Sequence, residues 1–196
     1  MKKIVSILFI IFVGFATNLF AEDSQSIKRI SVGEKNAKIT IIAYESLTCG
    51  HCADFHENVY PSLKKDFIEK GLVRIEFRHF PLDIAAFNAS KIGQCNNDGN
   101  ADILNILFSG QKKWARGKTP EEATKYLKKF LEGEGVNLDF EKCLNDKNIE
   151  DYILNDRIDG VKKFNVNATP TIIINDKKFE KTLNYKNLKK YLEKLI

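Results

Sequence analysis

Residues 39–52 read Ile39-Thr-Ile-Ile-Ala-Tyr-Glu-Ser-Leu-Thr-Cys49-Gly50-His51-Cys52, and the fold follows from this stretch. A run of strand-forming residues feeds directly into a C-x-x-C. Beyond it Phe55, Val59, Leu63 and Phe67 recur at four-residue spacing, close to the period of one helix face. Strand, cysteine pair and helix in this order have a chemical use. A thiol attacks a disulfide only as its thiolate, and the amide dipoles at a helix N-terminus stabilise that anion. A second cysteine nearby releases the mixed disulfide that the first one forms. This reading makes Cys49 the exposed nucleophile and Cys52, one turn inside the helix, the buried resolving thiol.

The rest of the chain places that unit in a sheet. Pro61 predicts a kink in the helix, and Gly71 ends the segment. Val73, Ile75, Phe77 and His79 then alternate with Arg74, Glu76 and Arg78, a half-buried strand closed by Phe80-Pro81-Leu82. Residues 83–164 change character and carry helical spacing without strand alternation. Asn100 is expected to cap a helix over Ala101–Trp114. Thr119-Pro120-Glu121-Glu122 reads as a capping box with proline at the first helical position, ahead of an Ala123, Leu127, Phe130 and Leu131 face that Gly133 ends. Asn148 is expected to cap a last helix whose apolar face includes Leu154, Ile158 and Val161. Strand signals return at Thr171–Ile174, turn at Asn175-Asp176 and resume near Lys178–Lys181, and Tyr185–Ile196 reads as an amphipathic helix. The order is β-α-β, a helical block, then β-β-α. It predicts an α/β chain with one sheet built from residues 22–82 and 165–196, and an all-helical domain, 83–164, inserted between its halves.

The chain opens Met1-Lys2-Lys3, runs apolar from Ile4 to Phe20, and turns acidic only at Glu22 after Ala21. This predicts a secretory signal peptide, residues 1–21, cut after Ala21; the alternative is the same stretch retained as a membrane anchor. All four cysteines, Cys49, Cys52, Cys95 and Cys143, lie beyond it, which suits an oxidising compartment. Cys95 and Cys143 both fall in the helical block and are expected to pair, two buried free thiols being the alternative. The formal charge is +5, from 31 Lys and Arg against 26 Asp and Glu, spread as mixed faces. No basic block with interleaved aromatics occurs, so nucleic acid is not indicated. His56 lacks the further ligands a zinc site needs, and Ala53 after Cys52 breaks the haem-attachment pattern, so neither metal nor cofactor is expected. His79 and Trp114 read as core.

A second stretch, Asn167-Ala168-Thr169-Pro170-Thr171, sets a proline at the start of an Ile-rich strand, where it has no ladder bond to donate. A cis Thr169-Pro170 bond exposes the Thr169 backbone for pairing with an extended peptide, as a strand adds to a sheet edge. Together, Cys49-Gly-His-Cys52, Arg78-His79-Phe80-Pro81-Leu82 and Ala168-Thr169-Pro170-Thr171 resemble the DsbA-like thiol:disulfide oxidoreductases over roughly residues 28–196. The resemblance implies a thioredoxin fold with an inserted helical domain. It further implies an exported, periplasmic dithiol oxidase acting as a monomer on cysteine-containing exported proteins. Cys49 is then the nucleophile, Cys52 the resolving thiol, and cis-Pro170 faces them. His51 matches the family histidine that favours the thiolate, and a DsbB-like membrane quinone oxidoreductase is the implied reoxidant.

The chain departs from that family pattern twice. Gly50 stands where family oxidases often carry proline. Ala43 stands where DsbA and thioredoxin carry a buried carboxylate, and Glu45, two residues on with the same strand parity, is the candidate proton acceptor in its place. Two alternatives therefore stay open: an isomerase or reductase with the same residues at a lower potential, and a non-enzymatic holdase or metallochaperone.

Overall fold

Strand β2 (Ile39–Glu45) is buried along its whole length except Thr40. The computed structural model describes residues 26–196, so the expected signal peptide at 1–21 lies outside the described residues. β3 (Val73–His79) runs parallel to β2, with Ile41 opposite Ile75 and Glu45 opposite His79. β4 (Thr171–Ile174) runs antiparallel on the other side, with Ala43 opposite Ile172. Short edge strands β1 (Ser31–Val32) and β5 (Lys177–Lys178) complete the order β1-β3-β2-β4-β5. β1 is absent from the sequence reading because two residues carry no alternation. β5 is shorter than the expected Lys178–Lys181 and follows Asn175 and Asp176, which both take positive φ in the turn.

A parallel strand pair needs a crossover connection. Here it is α1 (Gly50–Asn58), α2 (Tyr60–Leu63) and a π-helical turn at Lys64–Ile68. Pro61 breaks the helix rather than kinking it, occupying the first turn of α2, where its missing N–H costs nothing. Residues 83–164 hold α3 (Ile84–Gln94), α4 (Asp102–Ser109), α5 (Gln111–Trp114), α6 (Pro120–Gly133), α7 (Phe140–Asn145) and α8 (Lys147–Phe164). α9 (Tyr185–Leu192) follows the sheet.

Three expectations in the helical block are corrected. The helix expected over Ala101–Trp114 is two helices, broken at Gly110. There the Phe130 ring packs so tightly that a Cβ on residue 110 would fall 1.9 Å from its Cζ. Asp146, not Asn148, caps α8, its Oδ1 accepting from the Asn148 and Ile149 amides at 2.9 and 3.1 Å. Leu154, Ile158 and Val161 are exposed; α8 buries Ile149, Ile153, Asp156 and Gly160 instead. The reason is tertiary. Gly160 lies against the Tyr44 ring, where an added Cβ would meet Cε1 at 2.7 Å, and Asp156 pairs with Arg29 at 2.5 Å.

The sheet is covered on both faces, which explains why β2 carries apolar residues on both of its faces. Ile39, Ile41, Ala43, Val73, Ile75 and Phe77 join the larger core with α1 and the inserted helices. Ile42, Tyr44 and Ile173 face the other way, packing with Phe80 and Val166. Ile39 and Ile41 have no exposed surface, and each contributes about 2–3 kcal/mol on burial. Cys95, at the end of α3, is disulfide-bonded to Cys143 of α7. No helix among the described residues is long and apolar enough to cross a membrane.

Candidate active site

β2 ends at Glu45, and Ser46–Thr48 carry the chain to the N-terminus of α1. Cys49 is the N-cap, in extended backbone conformation, and its carbonyl accepts from the Cys52 and Ala53 amides at 3.1 and 3.2 Å. The first amides of a helix have no partner within it, so they face the N-cap side chain. The turn is anchored on two sides. Thr48 Oγ1 donates to Asp83 at 2.7 Å, and the Leu82 amide donates to Ser46 Oγ at 3.3 Å. From the inserted helices, Gln111 Nε2 donates to the carbonyls of Leu47 and Cys49 at 2.8 and 3.0 Å.

Both cysteines of the pair are free thiols, Cys49 partly exposed and Cys52 without exposed surface. The Cys49 thiol donates to the Thr169 carbonyl at 3.3 Å, across the cis Thr169–Pro170 bond at the start of β4. The two sulfurs have opposite electrostatics. A hydrogen bond from the Cys52 thiol is the largest influence holding the Cys49 pKa down at about 5. Partial burial opposes it, while the Thr169 hydroxyl and the Cys52 and His51 amides add to the lowering. Thr169 Oγ1 is buried with no other hydrogen-bond partner among the described residues, which leaves its proton for the Cys49 thiolate. The Cys52 pKa is pushed far up, first by burial, then by its bond to Cys49 and the nearby Glu45 carboxylate. One thiol is thereby ready to attack and the other holds its proton.

Glu45 shares the Ile41–Ala43 face of β2, which points at α1. There it meets His56, whose Nε2 lies 3.1 and 3.0 Å from the two carboxylate oxygens, with both side chains enclosed. His51 is placed differently. Its ring is largely in solvent, with Nδ1 3.7 Å from Asp54, and what reaches Cys49 from His51 is its backbone amide. His79 is buried in the core, its Nε2 on Gln94 at 3.2 Å, and its pKa is lowered by burial. Gln111 and the Glu45–His56 pairing are absent from the sequence reading. Gln111 sits 62 residues from Cys49 with no motif to mark it; the strand parity of Glu45 was the one available sign of a partner on α1.

A thioredoxin family model matches residues 25–194. The crystal structure of Wolbachia pipientis alpha-DsbA1 aligns with a TM-score of 0.76 and 30% identity over 85% of this chain and 90% of that one. The chain belongs to the thioredoxin family, among the DsbA-like proteins. Disulfide bond formation protein D of Bacillus subtilis is 27% identical over 176 residues, 83% of this chain and 75% of that protein. A Rickettsia bellii protein named, provisionally, as a protein-disulfide oxidoreductase is 27% identical over 146 residues. That match spans 74% of this chain and 56% of the longer rickettsial protein, so the chain covers about half of such relatives.

Proposed function

We propose that this DsbA-like chain is a thiol:disulfide oxidoreductase that introduces disulfides into other exported proteins through the Cys49–Cys52 pair. The observation that carries the reading is the opposition of the two thiols at the N-terminus of α1. Cys49 is held near pKa 5 and partly exposed, while Cys52 is enclosed with its pKa raised. A stabilised Cys49 thiolate favours the reduced form, and a protein whose reduced form is favoured passes its disulfide to others.

The roles divide by position. A substrate thiolate attacks Cys49 Sγ of the disulfide form, and Cys52 leaves as the buried sulfur. The substrate's second thiolate then releases its own disulfide. Thr169 and Pro170, beside Cys49 at the edge of β4, align the extended substrate backbone. His51 acts on the nucleophile through its backbone amide, which helps hold the Cys49 thiolate. Glu45 takes the Cys52 proton when the pair is reoxidised. The names of the relatives support the activity, and the family's periplasmic setting supports export with cleavage after Ala21, action as a monomer and reoxidation by a DsbB-like membrane protein.

The reduction potential tests this reading. Equilibrating residues 22–196 with glutathione buffers is expected to give a value above about −180 mV; a value near −270 mV would instead make the protein a reductase or isomerase helper.

A further inference from the structure

The groove beside α1 is not used by this reaction scheme. It encloses about 630 Å³ between α1–α2 and α4–α5, starting at Gly50 and lined by Ala53, Tyr60, Phe108 and His56 among others. His56 stands between it and the acid under the active site. Its Nε2 is hydrogen-bonded to Glu45, its ring stacks on Phe108 at 4.1 Å, and its side chain is 5% exposed. Its other nitrogen, Nδ1, is buried with no hydrogen-bond partner among the described residues. Leaving a buried ring nitrogen unpaired costs about 1–3 kcal/mol, so the position calls for a use.

We infer that His56 is a positioning residue that carries protons between Glu45 and water in this groove, and so sets the rate at which Cys52 reacts. The inference rests on the oxidoreductase reading above. In reoxidation, Cys49 is first joined to the sulfur of a partner disulfide. The Cys52 S–H bond then breaks, its proton passing to a Glu45 oxygen, and the freed sulfur pair attacks Cys49 Sγ. The bond from Cys49 to the partner breaks, its electron pair leaving on the partner sulfur, so the dithiol is oxidised and the partner reduced. His56 enters this step as the Nδ1–H tautomer: Glu45 passes the proton to the bare Nε2 while Nδ1 releases its own to the groove, which leaves Nε2–H donating to the Glu45 carboxylate. When a substrate is oxidised, Cys52 departs as thiolate and the same protons move inward, which restores the original tautomer. Imidazole suits this task because one nitrogen accepts as the other donates.

The surroundings leave few other routes. Of the groups packed on His56, Phe55, Phe77 and Phe108 do not titrate, and Tyr60 is held up near pKa 12 by burial. Asp54, Glu57, Lys64 and Lys112 lie along the groove and supply the charged exchange with bulk water. A second void touching Glu45 holds only about 10 Å³, the size of one water and too small for a chain of them.

Reduced protein mixed with 2,2′-dipyridyl disulfide releases one pyridinethione when Cys49 attacks and a second when Cys52 closes the pair. In His56→Gln, which can still hydrogen-bond Glu45 but moves no proton through, the first phase is expected unchanged. The second is expected to slow about a hundredfold, lose its wild-type pH dependence and recover with added imidazole. Ser109→Trp, which fills the groove without altering His56 or Glu45, is expected to slow the second phase as well, and it decides the matter if His56→Gln does not fold. A wild-type second phase in either variant, or a slow His56→Gln that imidazole does not relieve, overturns the relay alone. A wild-type protein with no second phase would instead sink the oxidoreductase reading.

Discussion

Gln111 Nε2 donates to the carbonyl of Cys49 at 3.0 Å, so a side chain of the inserted helices holds the turn that presents the nucleophile. The same amide reaches the Leu47 carbonyl at 2.8 Å, inside the buried part of the turn. The helical block is thus part of the redox site, not only a cover for it. Gln111→Leu strands both carbonyls from this donor, and the expected loss is about 1–3 kcal/mol in chemical denaturation of the reduced protein.

The lowered Cys49 pKa gives a pH prediction with a definite sign. Its folded pKa lies at about 5, down from an ordinary value of 9.0. The unfolded thiol therefore binds more protons than the folded one between those limits, and stability of the reduced form rises with pH there. It is complete above about 9 and lost as pH falls through about 5. Thiolate absorbance near 240 nm is expected to titrate with a midpoint near 5, and Cys49→Ser is expected to abolish that step.

The Cys95–Cys143 bridge closes a loop with a sequence separation of 48. Chain entropy over such a loop is worth about 4 kcal/mol. The Cys95→Ala/Cys143→Ala double variant is expected to lose about that much in urea unfolding while its Cys49 titration stays in place. A stability loss under about 1 kcal/mol would show that the unfolded chain is already compact.

Gly160 lets α8 approach the sheet, since a Cβ there would meet Tyr44 Cε1 at 2.7 Å and Tyr44 has no exposed surface. Gly160→Ala is expected to destabilise by about 1–3 kcal/mol, despite the better helix propensity of alanine. An increase in melting temperature would show that the ring has room to yield.

The strand, cysteine pair and helix of residues 39–67 were legible from the chain alone, as was β3, because local periodicity and short spacing encode them. The Thr119 cap was legible for the same reason; its Oγ1 accepts from the Glu122 amide at 3.2 Å. So was the overall order of sheet halves and helices, since a long helical stretch between strand signals leaves few topologies. What only the tertiary structure decided lies between distant segments. Leu154, Ile158 and Val161 form an apolar row that periodicity assigns to the core. Burial depends on which face a neighbour can approach, and Gly160 and Asp156 made that choice. Likewise nothing local marks Gln111 as a ligand of the active-site turn, or His56 as the partner of Glu45. Hydrogen bonds across 62 and 11 residues are set by how helices pack against the central strand and its active-site turn, which composition and spacing do not record.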